Sequence, residues 1–325
     1  MKDYGEIPGG KDELQELLYP FHLRYPLKLW SRFRWWKNSK IADLLESINN
    51  RSKWLTIIDR LGAPGDALIT ANIIRCIKQR YPKLKVNCIT PNPDLIRLDP
   101  DIDSINSGET FYSFDSTYWE LIVRKENEIN VVSHSLNRLK ISNFKYKAEY
   151  YLSDQESSWA QQLIKKLNFP KPILAICSKS KEPVKNWPEV FWKELIERLV
   201  DSFCIIHLGD KLEPNFANVE RFAGLFSMRE SAALLSKANF FIGPDSLLMH
   251  VANGLNIPSV IIFGGSRTVN CFGYPQNINL ASKPNCSPCW IHEGYEVCNE
   301  SLKCLREISV VQVLSSIKSL MNKSI

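Results

Sequence analysis

The strongest constraint on the fold is an alternation of short apolar runs with amphipathic stretches, which begins at Trp54. Residues 54–59 form an apolar run, residues 67–80 place their isoleucines and leucines on one helical face, and residues 85–90 form the next apolar run. This order predicts a strand, a helix and a second strand. Because a crossover helix joins parallel strands, the pattern predicts a parallel sheet covered by helices.

The alternation starts again in the second half of the chain. Its predicted strands are residues 173–177, 203–208, 239–243 and 259–263, and its predicted helices are residues 188–200, residues 228–237 and a helix that begins at Ser246. Between the two halves, short strands are predicted at residues 121–123 and 131–133, and a helix is predicted from Ser153-Asp154 to residue 167.

The chain has 325 residues, and at about 100–200 residues per domain this length predicts two domains. The run Asn168-Phe-Pro-Lys-Pro172 breaks the pattern, so the predicted domains are residues 53–168 and 169–325, after an extension of residues 1–52. The fold class is therefore α/β, with two Rossmann-like, doubly wound domains facing a cleft. Ligands of such sheets bind at the carboxyl ends of the strands, and the loops there are the candidate sites.

The basic charge of the chain is concentrated in the extension. Between residues 17 and 42 lie six lysines and arginines and no acidic residue, which equals the whole excess of 41 basic over 35 acidic side chains. Aromatic side chains are interleaved with these cations. Two interpretations stay open: a helix packed against the N-terminal domain, or a contact with the anionic surface of the inner membrane.

Other partners and compartments are constrained by the same composition. A nucleic-acid interface would rest on the basic stretch alone, without a recognised module, so no nucleic-acid partner is expected. No apolar run approaches the roughly 18 residues of a membrane-spanning helix, and no signal-peptide pattern is found. We therefore expect a cytoplasmic protein, or one bound peripherally to the cytoplasmic face of the inner membrane.

The loop after the first predicted strand ends in Gly62-Ala-Pro-Gly65-Asp66. The two glycines allow a tight turn, and Asp66 falls at the start of the next helix. Its carboxylate has two interpretations, as a cap of that helix or as a general base that projects into the cleft. The spacing lacks the third glycine of a dinucleotide-binding fingerprint.

Two loops of the second half are candidates for phosphate binding. The loop at residues 178–187 carries Ser180 and Lys185 and leads into a helix, so it either binds an anion or is an ordinary solvated loop. The other loop places Asp245 and Ser246 at a helix N-terminus and His250 one turn inside it. A helix N-terminus favours a diphosphate, whereas a single helical histidine is commonly a packing residue.

Four of the nine cysteines lie close together near the C-terminus: Cys286, Cys289, Cys298 and Cys304. In a reducing compartment, metal ligation is favoured over disulfides, and four thiolates suit structural zinc or iron. The alternative is four free thiols. A closed four-cysteine site leaves no open coordination position, so no catalytic role is expected for such a metal.

Taken together, these loops resemble glycosyltransferase family 9, the heptosyltransferase family. The resemblance runs from about Trp54 to the C-terminus. Its motifs are Arg60-Leu-Gly-x-x-Gly-Asp66, Lys185-Asn-Trp-Pro188, Gly243-x-Asp-Ser-x-x-Met-His250 and the late cysteine cluster. The family implies a GT-B fold and an inverting, metal-independent transfer from a nucleotide sugar, typically ADP-heptose, to a glycan or glycolipid acceptor of the lipopolysaccharide core.

The resemblance also implies roles for single residues. Asp66 matches the catalytic base, and Gly65 before it is a candidate substrate-binding residue. Lys185 matches the lysine that binds the donor diphosphate. Asp245 matches the residue that holds sugar hydroxyls. The remaining matches, which line the diphosphate, are Ser180, Ser246 and His250.

One departure from the family pattern gives a second hypothesis. The family has glycine directly after its Asp-Ser or Asp-Thr pair, whereas this chain has Leu247. Glycine there lets the backbone approach the phosphates closely. The alternatives to a heptosyltransferase are therefore a non-catalytic relative that binds a sugar nucleotide or glycolipid, and a transferase with another donor and a protein acceptor.

Overall fold

The computed structural model describes residues 41–323 except 109, 111, 119, 122–124 and 290–297. The chain divides into two compact units, the first ending at Ala148 and the second beginning at Glu149. Residues 17–40 of the basic stretch lie outside the described residues, so its two interpretations stay predictions. No helix among the described residues is both long enough and apolar enough to span a bilayer.

The first unit is built on a parallel sheet. Its described elements are β1 (Trp54–Ile58), α1 (Pro64–Arg80), β2 (Lys85–Ile89), α2 (Pro93–Ile96), β3 (Ser104–Ile105), β4 (Ser113–Asp115) and α3 (Val131–Arg138). The strand order is β3-β2-β1-β4, and every neighbouring pair is parallel. β1 therefore lies inside the sheet, which explains its unbroken apolar sequence.

The core of the first unit lies between β1 and α1, where Ile57, Ile73 and Ile77 are fully buried. Residues 41–50 are also helical, and Ile41, Leu45 and Ile48 of this helix are buried at the spacing of one helical face. This end of the predicted extension is thus packed.

The second unit contains a larger parallel sheet. Its described elements are α4 (Asp154–Leu167), β5 (Ile173–Ile176), α5 (Glu189–Leu199), β6 (Cys204–His207), β7 (Glu220–Arg221), α6 (Met228–Leu235), β8 (Phe240–Pro244), α7 (Leu247–Gly254), β9 (Ser259–Phe263), α8 (Val269–Phe272), β10 (Ile278–Ala281), α9 (Lys303–Arg306) and α10 (Val310–Lys323). The strand order is β10-β9-β8-β5-β6-β7. Counted along the chain this is the 3-2-1-4-5-6 order of a doubly wound nucleotide-binding fold.

One strand prediction was wrong, and four strands were missed: β3, β4, β7 and β10. Residues 131–133, predicted as a strand, begin helix α3, because the Asn130 side chain accepts the backbone N–H groups of Val132 and Ser133 and so caps the helix. Of the strand predicted at residues 121–123, Leu121 is helical and the other two residues lie outside the described set. Of the missed strands, β4 pairs with β1.

The boundary between the units lies about twenty residues before the predicted one at 168/169. Helix α4 belongs to the second unit, where it packs against α6 through a half-buried ion pair. The guanidinium of Arg229 donates to both carboxylate oxygens of Glu156, at 2.5 and 2.6 Å, and to the carbonyl oxygen of Tyr151 at 2.9 Å. The segment before α4 is thus fixed to the second unit.

We predict that Arg229→Met destabilises the protein by about 2 kcal/mol, because it removes the charge-assisted hydrogen bonds to the half-buried Glu156 carboxylate. The measurement is urea unfolding followed by circular dichroism. The matched control is Arg198→Met, which removes an exposed Arg198–Glu194 pair on α5 and should cost no more than about 0.5 kcal/mol.

The pH dependence gives an independent check. Hydrogen bonds from Arg229 lower the pKa of Glu156 to about 2, from 4.5 in the unfolded chain. The stabilisation is therefore complete above the unfolded pKa and is lost as the pH falls from about 4.5 to about 2. Equal losses in Arg229→Met and Arg198→Met, or an unchanged acid limb in Arg229→Met, would contradict the assignment.

Candidate active site

Each sheet has one place where the strand order reverses, and the candidate residues lie there. In the first unit the reversal falls between β1 and β4, and in the second it falls between β5 and β8. Helices leave such neighbouring strands toward opposite faces, so their loops diverge and open a crevice at the carboxyl ends. The loop after β1 ends in Asp66, and the loops after β5 and β8 carry Lys185 and Asp245.

Asp66 is the third residue of α1, after Pro64 and Gly65, and is buried. Its Oδ2 accepts the backbone N–H of Ala63 at 3.2 Å, and its Oδ1 accepts the hydroxyl of Tyr118 at 2.5 Å. The carboxylate thus makes the hydrogen bond of a helix cap, one of its two predicted interpretations. Tyr118 follows β4, and sequence reasoning missed it because β4 itself was missed.

A second carboxylate, Asp59, lies next to Asp66 and was also missed. It follows β1 directly, and only 6% of its surface is exposed. Its oxygens accept the backbone N–H of Gly62 at 3.0 Å and the hydroxyl of Thr90 at 2.8 Å. Burial and, to a smaller extent, the charge of Asp66 raise the pKa of Asp59 to about 7, against the effect of the two hydrogen bonds.

In the second unit, the structure brings Lys185 and Asp245 together. Lys185 ends a 3₁₀ turn of residues Pro183–Lys185, and its Nζ lies 3.1 Å from Oδ2 of Asp245. Both side chains are buried. The carboxylate of Glu182 lies 3.6 Å from the same Nζ and 3.3 Å from Nη2 of Arg267. The two cations are thus paired with two carboxylates.

Gly264 explains why this turn can lie against the end of β9. A Cβ atom at Gly264 would lie 2.3 Å from the carbonyl oxygen of Val184, which no side chain can tolerate. The backbone at Gly264 and the turn that carries Lys185 are therefore in direct contact. The position of Lys185 depends on this close approach.

The start of α7 has features of an anion site. Ser246 is the N-cap residue, but its side chain makes no capping hydrogen bond to the helix. His250 lies one turn inside the helix, and its Nδ1 is 2.8 Å from the hydroxyl of Tyr274. Burial lowers the pKa of His250 to about 4, with Asp245 opposing and Lys185 adding to the effect, so the imidazole is neutral at pH 7.

Ser180 lies in the same loop as Lys185, but its groups are used within the loop. Its N–H donates to Oδ1 of Asn186 at 2.6 Å, and its Oγ accepts the N–H of Glu182 at 3.2 Å. Ser180 therefore shapes the phosphate-binding candidate loop, and any role in binding stays a prediction.

A buried carboxylate, Glu213, holds the start of that loop and was missed in the sequence. It accepts the N–H groups of Ser178 and Lys179 at 3.1 and 3.0 Å, and Nε2 of His207 lies 2.8 Å away. Burial raises the pKa of Glu213, but the hydrogen bonds from His207 and Ser178 outweigh burial and hold it below the ordinary value. Gly209, four residues earlier, leaves room for this side chain, because a Cβ there would lie 2.5 Å from Oε1 of Glu213.

Three of the four late cysteines lie near one another. Sγ of Cys304 accepts the N–H of Gly265 at 3.1 Å, and the N–H of Cys289 donates to the carbonyl oxygen of Gly265 at 3.0 Å. Burial raises the pKa of the Cys304 thiol, and the nearby Cys289 and Cys298 raise it further. Cys286 is exposed. Across the described part of the chain, no three His, Cys, Asp or Glu groups are arranged to hold a metal ion, and residues 290–297 lie outside it.

Comparison with known proteins identifies the family of the chain. Residues 114–296, more than half of the chain, match the profile of glycosyltransferase family 9 (heptosyltransferase). Lipopolysaccharide heptosyltransferase 1 of Pseudomonas aeruginosa is 30% identical over 116 residues, which are 32% of this chain and 32% of that protein. The autotransporter heptosyltransferase Aah of Escherichia coli is 28% identical over 168 residues, 48% of this chain and 42% of the relative. The chain thus spans less than half the length of these curated relatives.

Solved structures share the fold at low sequence identity. A family 9 glycosyltransferase from Veillonella parvula has a TM-score of 0.67 at 13% identity and covers 83% of this chain and 97% of its own. The iron-containing dodecameric glycosyltransferase TibC of Escherichia coli has a TM-score of 0.66 at 18% identity, over 84% of this chain and 77% of its own. Escherichia coli heptosyltransferase WaaC with ADP has a TM-score of 0.57 at 14% identity, over 82% of this chain and 99% of its own.

These likenesses confirm the predicted α/β fold of GT-B type. The family profile confirms the resemblance read from the loop motifs. The chain therefore belongs to glycosyltransferase family 9, the heptosyltransferase family.

Proposed function

We propose that the chain is an inverting, metal-independent glycosyltransferase that moves a heptose from ADP-heptose to a lipopolysaccharide or other glycan acceptor. Asp66 is the general base of this reaction. The family and the heptosyltransferase relatives support the reaction class. Solved relatives in complex with ADP and with ADP-D-beta-D-heptose support the donor.

The observation that carries the proposal is the position of Asp66 at the reversal point of its sheet. A buried carboxylate that already accepts a hydroxyl, that of Tyr118, is suited to accept the proton of an attacking acceptor hydroxyl. In an inverting substitution, one base acts on the attacking oxygen and the inverted product forms in a single displacement. Asp66 takes up the proton as the new glycosidic bond forms and the bond to the diphosphate breaks.

The second unit supplies groups suited to the donor. The ammonium group of Lys185 offsets the negative charge that grows on the leaving diphosphate, and no metal ion is needed for that role. The uncapped N-terminus of α7 and the hydroxyl of Ser246 offer donors to phosphate oxygens. Asp245, held by Lys185, is assigned to the sugar hydroxyls, and the neutral His250 and the loop at Ser180 line the diphosphate.

The acceptor has two candidate classes. The Pseudomonas relative is named for lipopolysaccharide, whereas the Aah match, which covers more of the chain, is named for an autotransporter. A protein acceptor is therefore the second candidate. We place the activity in the cytoplasm, with residues 17–42 at the inner-membrane surface when the acceptor is a glycolipid.

We predict that Asp66→Ala lowers the rate of ADP release from ADP-heptose in the presence of acceptor by about a hundredfold or more, because a positioned base contributes 10²–10⁴-fold. The assay couples ADP release to acceptor, with lipopolysaccharide core and autotransporter acceptors run in parallel. ADP binding, measured by calorimetry, should stay unchanged.

The control variant removes a first-turn helix carboxylate that lies outside the candidate site. Asp154→Ala removes an exposed first-turn carboxylate of α4 and should leave the rate unchanged. A wild-type rate in Asp66→Ala would exclude Asp66 as the base. ADP-heptose binding without turnover on any acceptor would favour the non-catalytic relative suggested by Leu247.

We predict that Lys185→Met weakens ADP binding by about ten- to a hundredfold, because hydrogen bonds to charged groups contribute about 1.5–3 kcal/mol. The measurement is calorimetric titration of ADP, on protein that still unfolds cooperatively. Lys193→Met, which removes an exposed lysine paired with Glu189 on α5, is the control. Equal ADP affinities in the two variants would remove Lys185 from the donor site.

We also propose that the cysteine cluster binds one structural zinc or iron, supported by the proximity of Cys289, Cys298 and Cys304. Metal analysis of protein purified without oxygen should find about one equivalent, as expected for a single four-thiolate site. Cys289→Ser and Cys298→Ser should lose it, while Cys204→Ser, in β6, should keep it. Metal-free wild-type protein would mean four free thiols.

A further inference from the structure

We propose that Asp59 is a positioning residue for Asp66, which fixes the turn leading to it and acts on it through its charge. The inference deepens the proposed function, since it rests on Asp66 as the base. Asp59 touches no substrate group in this scheme and acts only through Asp66 and the loop between them.

The geometric basis is the turn after β1. One oxygen of Asp59 accepts the N–H of Gly62, whose φ of +72° suits glycine, and the other accepts the hydroxyl of Thr90 at the end of β2. The carbonyl oxygen of Gly62 in turn accepts Nδ2 of Asn92 at 2.8 Å. The turn is thus held from two sides, four residues before Asp66.

The electrostatic basis is a pair of neighbouring carboxylates with different surroundings. Asp66 on α1 lies next to Asp59 and raises its pKa. Cys88 on the neighbouring strand β2 also faces Asp59, and burial and the charge of Asp59 raise the pKa of its thiol. Tyr118 donates its hydroxyl to Asp66. The groups that shift the pKa of Asp59 are thus a second carboxylate and two neutral hydrogen-bond donors, Gly62 and Thr90.

This arrangement has a consequence for the base. The carboxylate of Asp66, which accepts the N–H of Ala63 and the hydroxyl of Tyr118, acts through its charge on Asp59. When Asp59 loses its proton, a second negative charge next to Asp66 increases the proton affinity of Asp66. A base of higher proton affinity accepts the acceptor proton more readily. Transfer should therefore become faster as the pH rises through the ionisation of Asp59.

The test compares the pH dependence of kcat/KM in the wild type, Asp59→Asn and Asp59→Ala. The wild type should show a step near pH 7, the value to which the pKa of Asp59 is raised. Asparagine keeps an acceptor for Gly62 but cannot ionise, so Asp59→Asn should keep the activity of the low-pH side and lose the step. Alanine releases the turn, and misplacement of Asp66 should lower kcat/KM by about a hundredfold at all pH values.

The control variant is Asp99→Asn. Asp99 is another buried aspartate of the first unit with a raised pKa, but its carboxylate pairs with Arg75 at 2.7 Å and accepts the N–H of Asp101 at 3.0 Å, both outside the loop after β1. Asp99→Asn should keep the step near pH 7. A step that persists in Asp59→Asn, or wild-type rates in Asp59→Ala, would overturn the proposal.

A second measurement does not depend on transfer activity. Because the pKa of Asp59 is raised from 3.8 to about 7 on folding, the folded protein binds the proton more tightly than the unfolded chain. The Tm should therefore fall as the pH rises from about 4 to about 7, and this fall should be smaller in Asp59→Asn. If the fall is found but no acceptor supports transfer, the proposed function fails. If transfer is found but Asp59→Asn matches the wild type in both measurements, the role of Asp59 fails.

Discussion

The reversal of strand order within each parallel sheet is the constraint on which both candidate sites depend. β1 and β4 send their following chain segments apart, and so do β5 and β8. In each sheet, the polar residues that follow these strands lie at its carboxyl edge. Asp59 follows β1 in the first unit, Asp245 follows β8 in the second, and both are buried.

The two sites differ in how buried charge is balanced. In the second unit, Lys185 and Arg267 are paired with Asp245 and Glu182, so the group is neutral as a whole. In the first unit, Asp59 and Asp66 are neighbouring carboxylates held by neutral donors. A buried carboxyl group without a counter-ion holds its proton more tightly, because burial disfavours the carboxylate. The paired charges of the second unit are suited to stabilise a leaving anion. The neighbouring carboxylates of the first unit are suited to accept a proton.

Local patterns predicted the parts of this structure that depend on local interactions. Apolar runs predicted the strands β1, β5 and β8. Turn residues predicted the helix starts near Asp66 and Ser246. The Val-Val pair at the start of α3 favoured a strand by propensity, but the cap at Asn130 decided for a helix. The three-residue strand β4 was too short for any periodicity, and with it the partner of Asp66, 52 residues away, was lost.

Contacts between segments that are distant in the chain could not be predicted from local patterns. Gly264 and Gly265 are examples. Gly264 lies against the carbonyl of Val184, one residue before Lys185. Gly265 donates to Cys304 and accepts from Cys289. Two adjacent glycines thus join the cysteine cluster to the turn that carries the donor lysine. Because each contact leaves no room for a Cβ, the cysteine cluster and the turn of Lys185 are both packed directly against this backbone.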